Sequence, residues 1–367
     1  MSESSNTRVI DLDVTRAIAL IGVCLMNYYG YLVLRGSSRR DDVVGRLFDP
    51  WNGPFATRFA ATFVTVAGMG IALMARRVLK SDDPAAVRRV RWTLVRRGVL
   101  LYLFGYVFNW VWPGTILFFY GAFFVVGALL FTLRDRWVLA IGVTAAVAGA
   151  GLQWWADARR AGGGDATWLS RPDAGLTRSP WDLVVDTFVR GTHPLLPWLL
   201  FLCVGIVLGR RLPFDAIMRL RLTFFGVLCI AAGYMLHATG PWAYRTSSLV
   251  PNERGVLYSV STVGVAITAV ALIGWLAEAT ANSTATRMLA DTGRFTLTLY
   301  VLHALLFLLL VDWLGWPASG AGHDGLTTAV VLALVYWMLA IAVASVWLMK
   351  WPVGPLEWVY RRFSDAS

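Results

Sequence analysis

Asp13 and Arg16 lie three residues apart in the first apolar run, and Asn27 follows Arg16 by eleven. These intervals are close to one and three helical turns, so the three side chains share a face. At 1.5 Å per residue the stripe rises ~16 Å from Arg16 to Asn27, from a membrane edge to mid-depth. A second stripe, Thr296, Tyr300 and His303, has spacings of four and three. It places His303 about 14 Å above Arg294, at the depth of Asn27. Polar groups at that depth are costly and are candidate sites by default. A histidine there serves as a general base, a proton relay or a hydrogen-bonded packing residue. The structural alternative for the first stripe is that Asp13 pairs with Arg16 at the interface and Asn27 joins two helices.

Other chemistry-bearing residues lie at the ends of apolar runs. His193 stands in Gly191-Thr192-His193-Pro194, at the outer entrance of one run. It suits catalysis, acceptor binding or a loop cap. His237 and His323 read as structural or solvated. Trp168, Trp181, Asp182, Asp186, Trp242 and Tyr244 combine aromatic faces with carboxylates, which suit sugar rings or an interfacial aromatic belt. Arg clusters can hold phosphates through bidentate contacts, or fix orientation and bind anionic lipid. There is no P-loop, zinc-ligand spacing or G-x-S-x-G, so no metal is expected and soluble-enzyme chemistries gain little support.

The elements that must position these residues are membrane helices. Hydrophobic types make up 57% of the 367 residues and charged types 15%. The mean hydropathy is +0.60. Those values exclude a soluble globular enzyme, a disordered chain and a collagen-like fibre. A β-barrel would show short alternating segments, which are not seen. The expected fold is all-α, one polytopic bundle over 1–367. Its ten spans are expected near 14–34, 56–75, 93–112, 115–133, 137–156, 194–209, 222–240, 256–277, 295–313 and 326–349. Cys24, Cys203 and Cys229 fall inside these runs and read as small core residues rather than a disulfide framework. The first run lacks a basic lead and an A-x-A-like exit, so it reads as a retained helix. The net charge is +11, and 31 of the 33 basic residues are Arg. With both termini inside, the inner segments hold 21 Lys/Arg and the outer ones 12, while each side holds 11 Asp/Glu. The basic excess thus orients the chain, with both termini cytoplasmic in a cell membrane, and does not imply nucleic acid.

Several segments, in order, resemble the bacterial YeiB family of polytopic membrane proteins. That family is similar to the heparan-α-glucosaminide N-acetyltransferases, and both are grouped as transmembrane acyltransferases. The opening stretch Arg8 to Ala17, with Asp13 and Arg16, resembles the L/V-D-x-x-R-G opening, with Asn27 at the family spacing and Ala17 for the usual Gly. Further matches are Arg96-Arg97-Gly98, Pro113-Gly114-Thr115 with Tyr120-Gly121, and His193-Pro194 to Gly209-Arg210. Thr292-Gly293-Arg294 to Tyr300, and Gly354-Pro355-Leu356-Glu357-Trp358, complete the set.

The resemblance implies transfer of an acetyl group from cytoplasmic acetyl-CoA to an amine or hydroxyl of an extracytoplasmic, glycan-type acceptor. Asn27 matches the family's first-helix Asn. The family's His precedes a W-x-G segment, and the counterpart here, Phe48-Asp49-Pro50-Trp51-Asn52-Gly53, has none. His303, His193 and Asp49 are the candidate bases. Arg16, Arg97, Arg210, Arg294 and Tyr300 are the expected contacts to CoA; Asp49, Trp51, Trp181 and Asp182 are those to the acceptor. The rival expectation is a transporter or flippase of a small polar or lipid-linked solute, whose pathway the same stripes would line. A scaffold that binds CoA or lipid without turnover is a third. The oligomeric state is left open, a homodimer included.

Overall fold

The computed structural model describes residues 10–81, 83–169, 179–239, 249, 254–316 and 324–364. Trp242, Tyr244 and His323 lie outside the described residues. The described chain is helical, and its only bridge between extended residues joins Ser38 to Asp324.

In chain order the helices are α1 (Ile10–Leu34), α2 (Val43–Leu47), α3 (Arg58–Ala75), α4 (Pro84–Asn109), α5 (Leu117–Leu130), α6 (Asp135–Ala161) and α7 (Pro180–Val185). They continue with α8 (Leu195–Arg210), α9 (Ala216–Thr239), α10 (Val256–Ala279), α11 (Thr284–Gly293), α12 (Thr296–Phe307), α13 (Gly325–Leu348) and α14 (Pro355–Ser364). Start signals are local. Asp83 accepts from the Ala85 N–H ahead of Pro84, and Asp324 accepts from the Leu326 N–H. Each satisfies a donor that the first helical turn leaves open.

Every expected apolar run falls on a helix. Among the described residues, seven helices are long and apolar enough to cross a bilayer: α1, α3, α6, α9, α10, α13, and α12 with its π-helical continuation to Trp313. An eighth arises if α7, continued to Arg190, and α8 count as one span bent by 58°. The break between them holds His193, and Pro194 and Pro197 remove two backbone donors there. α4 spans 26 residues but carries Arg88, Arg89, Arg91, Arg96 and Arg97 between its start and its middle. α5 has 14 residues, short of the ~20 that a span needs. Length and composition therefore support fewer spans than the ten runs.

α8 is the centre of the bundle, buried from Pro197 to Gly209 against α3 and α6. Contact with α3 needs glycine: a Cβ on Gly205 would strike the Thr65 carbonyl. Small residues let apolar helices approach closely where no water drives them together. α9 lies at the periphery, burying only Arg219, Gly226 and Gly233. Arg219 ties three helices at one end of the bundle. Its Nη2 lies 3.2 Å from Asp11 of α1 and 2.5 Å from Glu278 of α10. α14 closes the same end by lying against α4.

Candidate functional site

The site grows from the start of α12. Its free N–H groups at Leu297 and Thr298 donate to Glu357 Oε1 of α14, at 2.6 and 3.1 Å. The Thr298 hydroxyl donates to Glu357 Oε2 at 2.5 Å and accepts from the Leu356 N–H at 3.1 Å. A carboxylate at a helix N-terminus is favourable to the helix dipole. Burial nevertheless pushes the Glu357 carboxyl above its ordinary value, with the hydrogen bonds from Thr298 and Leu297 opposing that rise.

One turn up α12, the Tyr300 hydroxyl accepts from the Ile116 N–H and bonds the Thr115 hydroxyl, both at 3.1 Å. This joins α12 to the start of α5. Next comes His303, fully buried. Its Nδ1 meets the Tyr300 carbonyl. A carbonyl only accepts, so Nδ1 carries the proton in the neutral ring and Nε2 keeps a lone pair. Asn27 Nδ2 lies 3.2 Å from that Nε2 and donates to it. The imidazole sits among the rings of Tyr300, Trp112, Tyr28 and Tyr336, with centroids 4.9, 5.6, 5.8 and 6.5 Å away. Tyr28 donates to the His303 carbonyl at 3.0 Å and Tyr336 to the Leu299 carbonyl at 2.7 Å. The ring's position is thus fixed from α1 and α13.

Below this pair lies a cavity of about 310 Å³. Its polar lining comprises Arg16, Arg97, Tyr120, Thr296, Tyr300, Glu357 and Tyr360, and its apolar walls come mainly from α3, α4 and α5. Arg16 Nη1 bonds Asp13 at 3.2 Å and the Gly293 carbonyl at 3.3 Å. Arg97 donates to Ser364 at 3.2 Å and lies 5.5 Å from the Tyr360 ring centroid. The cavity therefore presents two guanidinium groups and an apolar interior, and Tyr300 connects its lining to the buried Asn27–His303 pair.

Three expected CoA contacts, Arg16, Arg97 and Tyr300, line this one cavity; Arg210 and Arg294 do not. Arg210 reaches Asp135 at 2.5 Å and the Phe131 carbonyl at 2.9 Å. Arg294 bonds Asp291 at 3.5 Å and the Pro352 carbonyl. His193 lies elsewhere, 2.8 Å from the Thr192 hydroxyl and edge-on to Trp198 at 4.5 Å. Asp49 organises its own loop: its Oδ1 accepts from the Trp51 and Asn52 N–H groups at 2.9 and 2.7 Å. Arg39 is 3.6 Å from Asp49 and lies over the Trp51 ring. Trp181 is exposed, and Asp182 pairs with Arg190 at 2.5 Å. None of these four acceptor candidates lines the cavity.

Sequence reasoning gave no role to Glu357, Tyr120 or Tyr360. Glu357 and Tyr120 stood in matched motifs, but the partners of Glu357 are remote in sequence. A carboxylate four residues before the Arg361-Arg362 pair, in a segment of otherwise apolar neighbours, was the available signal for Glu357.

Residues 213–366 match the model of a family described as protein of unknown function (DUF418). This is the YeiB-type family, in agreement with the resemblance read from the motifs. The match covers less than half of the chain and includes Tyr300, His303 and Glu357, but not Arg16, Asn27, Arg97 or Tyr120. No curated protein matches the chain. The apolar helices describe a membrane-embedded protein, and its C-terminal part is similar to the YeiB-type family.

Proposed function

We propose that the protein is a membrane acyltransferase that moves an acetyl group from acetyl-CoA to an amine or hydroxyl of an extracytoplasmic, glycan-type acceptor. The observation that carries the reading is the Asn27–His303 hydrogen bond above an Arg-lined cavity. At about 310 Å³ the cavity is near the small end of ligand pockets, which run from about 300 to 1,000 Å³. It suits the arm of CoA, with the nucleotide phosphates outside near Arg97 and Arg16. The acceptor's nucleophilic atom attacks the thioester carbon while its proton passes to His303 Nε2. One N–H of the Asn27 amide turns from Nε2 to the oxyanion that forms. The C–S bond then breaks, and the CoA sulfur takes the proton from His303.

In this reading α4, α5 and the bent α7–α8 pair complete ten crossings, with both termini cytoplasmic and the cavity open to the cytoplasm. A second reading, a transporter, draws on the 58° break at Gly191–Pro194, because broken helices line many transport sites. The deciding experiment measures CoA binding and thiol release from acetyl-CoA by the purified chain, with and without amine and hydroxyl sugars. CoA binding with release that depends on His303 supports the enzyme. Absence of CoA binding refutes it.

A further inference from the structure

The Tyr120 side chain is 6% exposed and lines the cavity. Its hydroxyl is buried and makes no hydrogen bond. Two hydroxyls near the start of α12 are satisfied. Tyr300 is satisfied by Thr115 and Ile116, and Thr298 by Glu357 and Leu356. A buried hydroxyl left without a partner carries a desolvation cost, and such groups call for an explanation. The nearest rings, Phe63 and Phe123, offer no acceptor, with centroids 5.4 and 6.2 Å from that of Tyr120. The cavity's carboxylate does not serve either, because Glu357 is committed to the start of α12.

We infer that Tyr120 donates a hydrogen bond to an amide carbonyl in the arm of the acyl donor. This rests on the acyl-CoA reading of the cavity and adds a specificity-determining residue to it. The position favours the arm over the reacting thioester. Tyr120 shares the cavity lining with Arg16 and Tyr300, whereas the Asn27–His303 pair lies a helical turn beyond Tyr300. A carbonyl held at Tyr120 therefore belongs to the chain between the phosphates and the sulfur. The α3, α4 and α5 walls around it are mainly apolar, so this hydroxyl sets the register of a long, flexible ligand that would otherwise slide.

The test is Tyr120→Phe, which removes one oxygen and keeps the ring in its slot. The probes are CoA, acetyl-CoA and inorganic pyrophosphate, titrated calorimetrically into the purified full chain. A neutral hydrogen bond is worth a factor of about 3 to 10 in affinity. The expected result is that loss for CoA and acetyl-CoA alike, no change for pyrophosphate, and unchanged thermal stability or a small gain. Wild-type affinity for both thiol-bearing probes in Tyr120→Phe overturns the inference alone. A loss confined to acetyl-CoA also overturns it, because the partner is then the thioester. If the wild-type chain binds no CoA, the acyl-CoA reading fails and the inference fails with it.

Discussion

Replacing Asn27 with aspartate changes almost no volume but reverses the hydrogen bond on which the proposed chemistry rests. In the native pair, Nδ2 donates to a lone pair on His303 Nε2 over 3.2 Å, and Nδ1 is held by the Tyr300 carbonyl. An aspartate oxygen in the same place is an acceptor facing an acceptor. The contact is restored only when a proton sits between them, which leaves Nε2 unable to take one from an acceptor. The substitution also removes the amide donor proposed for the oxyanion. Loss of one such donor costs roughly 10²–10³ in rate, and loss of a general base about 10²–10⁴. The two groups act as a unit, so the losses do not add. Asn27→Asp should lower kcat by roughly 10²–10⁴, and Asn27→Asp combined with His303→Ala should be no slower than the worse single variant. The assay is thiol release from acetyl-CoA under saturating acceptor, with CoA affinity measured beside it. Affinity should stay within about twofold, because neither residue lines the cavity. Retention of more than a tenth of the wild-type kcat in Asn27→Asp would refute the reasoning, since a purely structural pair tolerates a charged hydrogen bond.

Arg97→Ala should weaken CoA binding roughly 10- to 100-fold, the worth of a charge-assisted contact, and Arg97→Lys should recover part of it. Arg210→Lys should leave calorimetric affinity unchanged, because that side chain is spent on Asp135 and Phe131. Arg219→Ala should destabilise the fold by about 3–5 kcal/mol, since it strands the buried Asp11 carboxylate; replacing Asp11 with Leu as well should restore much of the melting temperature. The raised Glu357 value implies a pH dependence. Its protonation favours the fold, so the contribution is fully present below the unfolded glutamate value of about 4.3 and is lost as pH rises through the folded value. The melting temperature of wild type minus that of Glu357→Gln should therefore fall as pH increases. For topology, a cysteine at 165 should react with impermeant reagent in intact cells, and one at 83 only after permeabilisation; the reverse pattern would overturn the cytoplasmic termini.

The meeting of Asn27 and His303 was legible because a helix has a fixed rise. Counting residues from Arg16 and Arg294 placed both at one depth, and contact followed once α1 and α12 became neighbours. Arg210 and Arg294 show the limit of motif position. Each lies in a matched segment, yet Arg210 is drawn to Asp135 of α6, and Arg294 to Asp291 one turn back and to the Pro352 carbonyl. Glu357 eluded role assignment because the groups it satisfies lie on α12, 59 and 60 residues away. The order of layers was also hidden. α8 and α9 are both apolar, but α8 is enclosed and α9 is peripheral. In lipid an apolar side chain suits either place, so hydropathy does not distinguish protein neighbours from lipid. α4 stayed ambiguous for a related reason: its Arg-rich N-terminal part lowers the apolar signal of a 26-residue helix.

The enclosed position of α8 sets an order of assembly. Its main partners, α3 and α6, both precede it in the chain, so their groove is already in the bilayer when α8 emerges during synthesis. The Gly205–Thr65 contact leaves no room for a lipid tail between α8 and α3. Lipid filling that groove must leave as α8 settles, and the α9–α10 hairpin arrives afterwards. A bulky residue at Gly205 would therefore strike before later helices are made, trapping a half-inserted chain for quality-control proteases rather than yielding a finished protein with a weakened site.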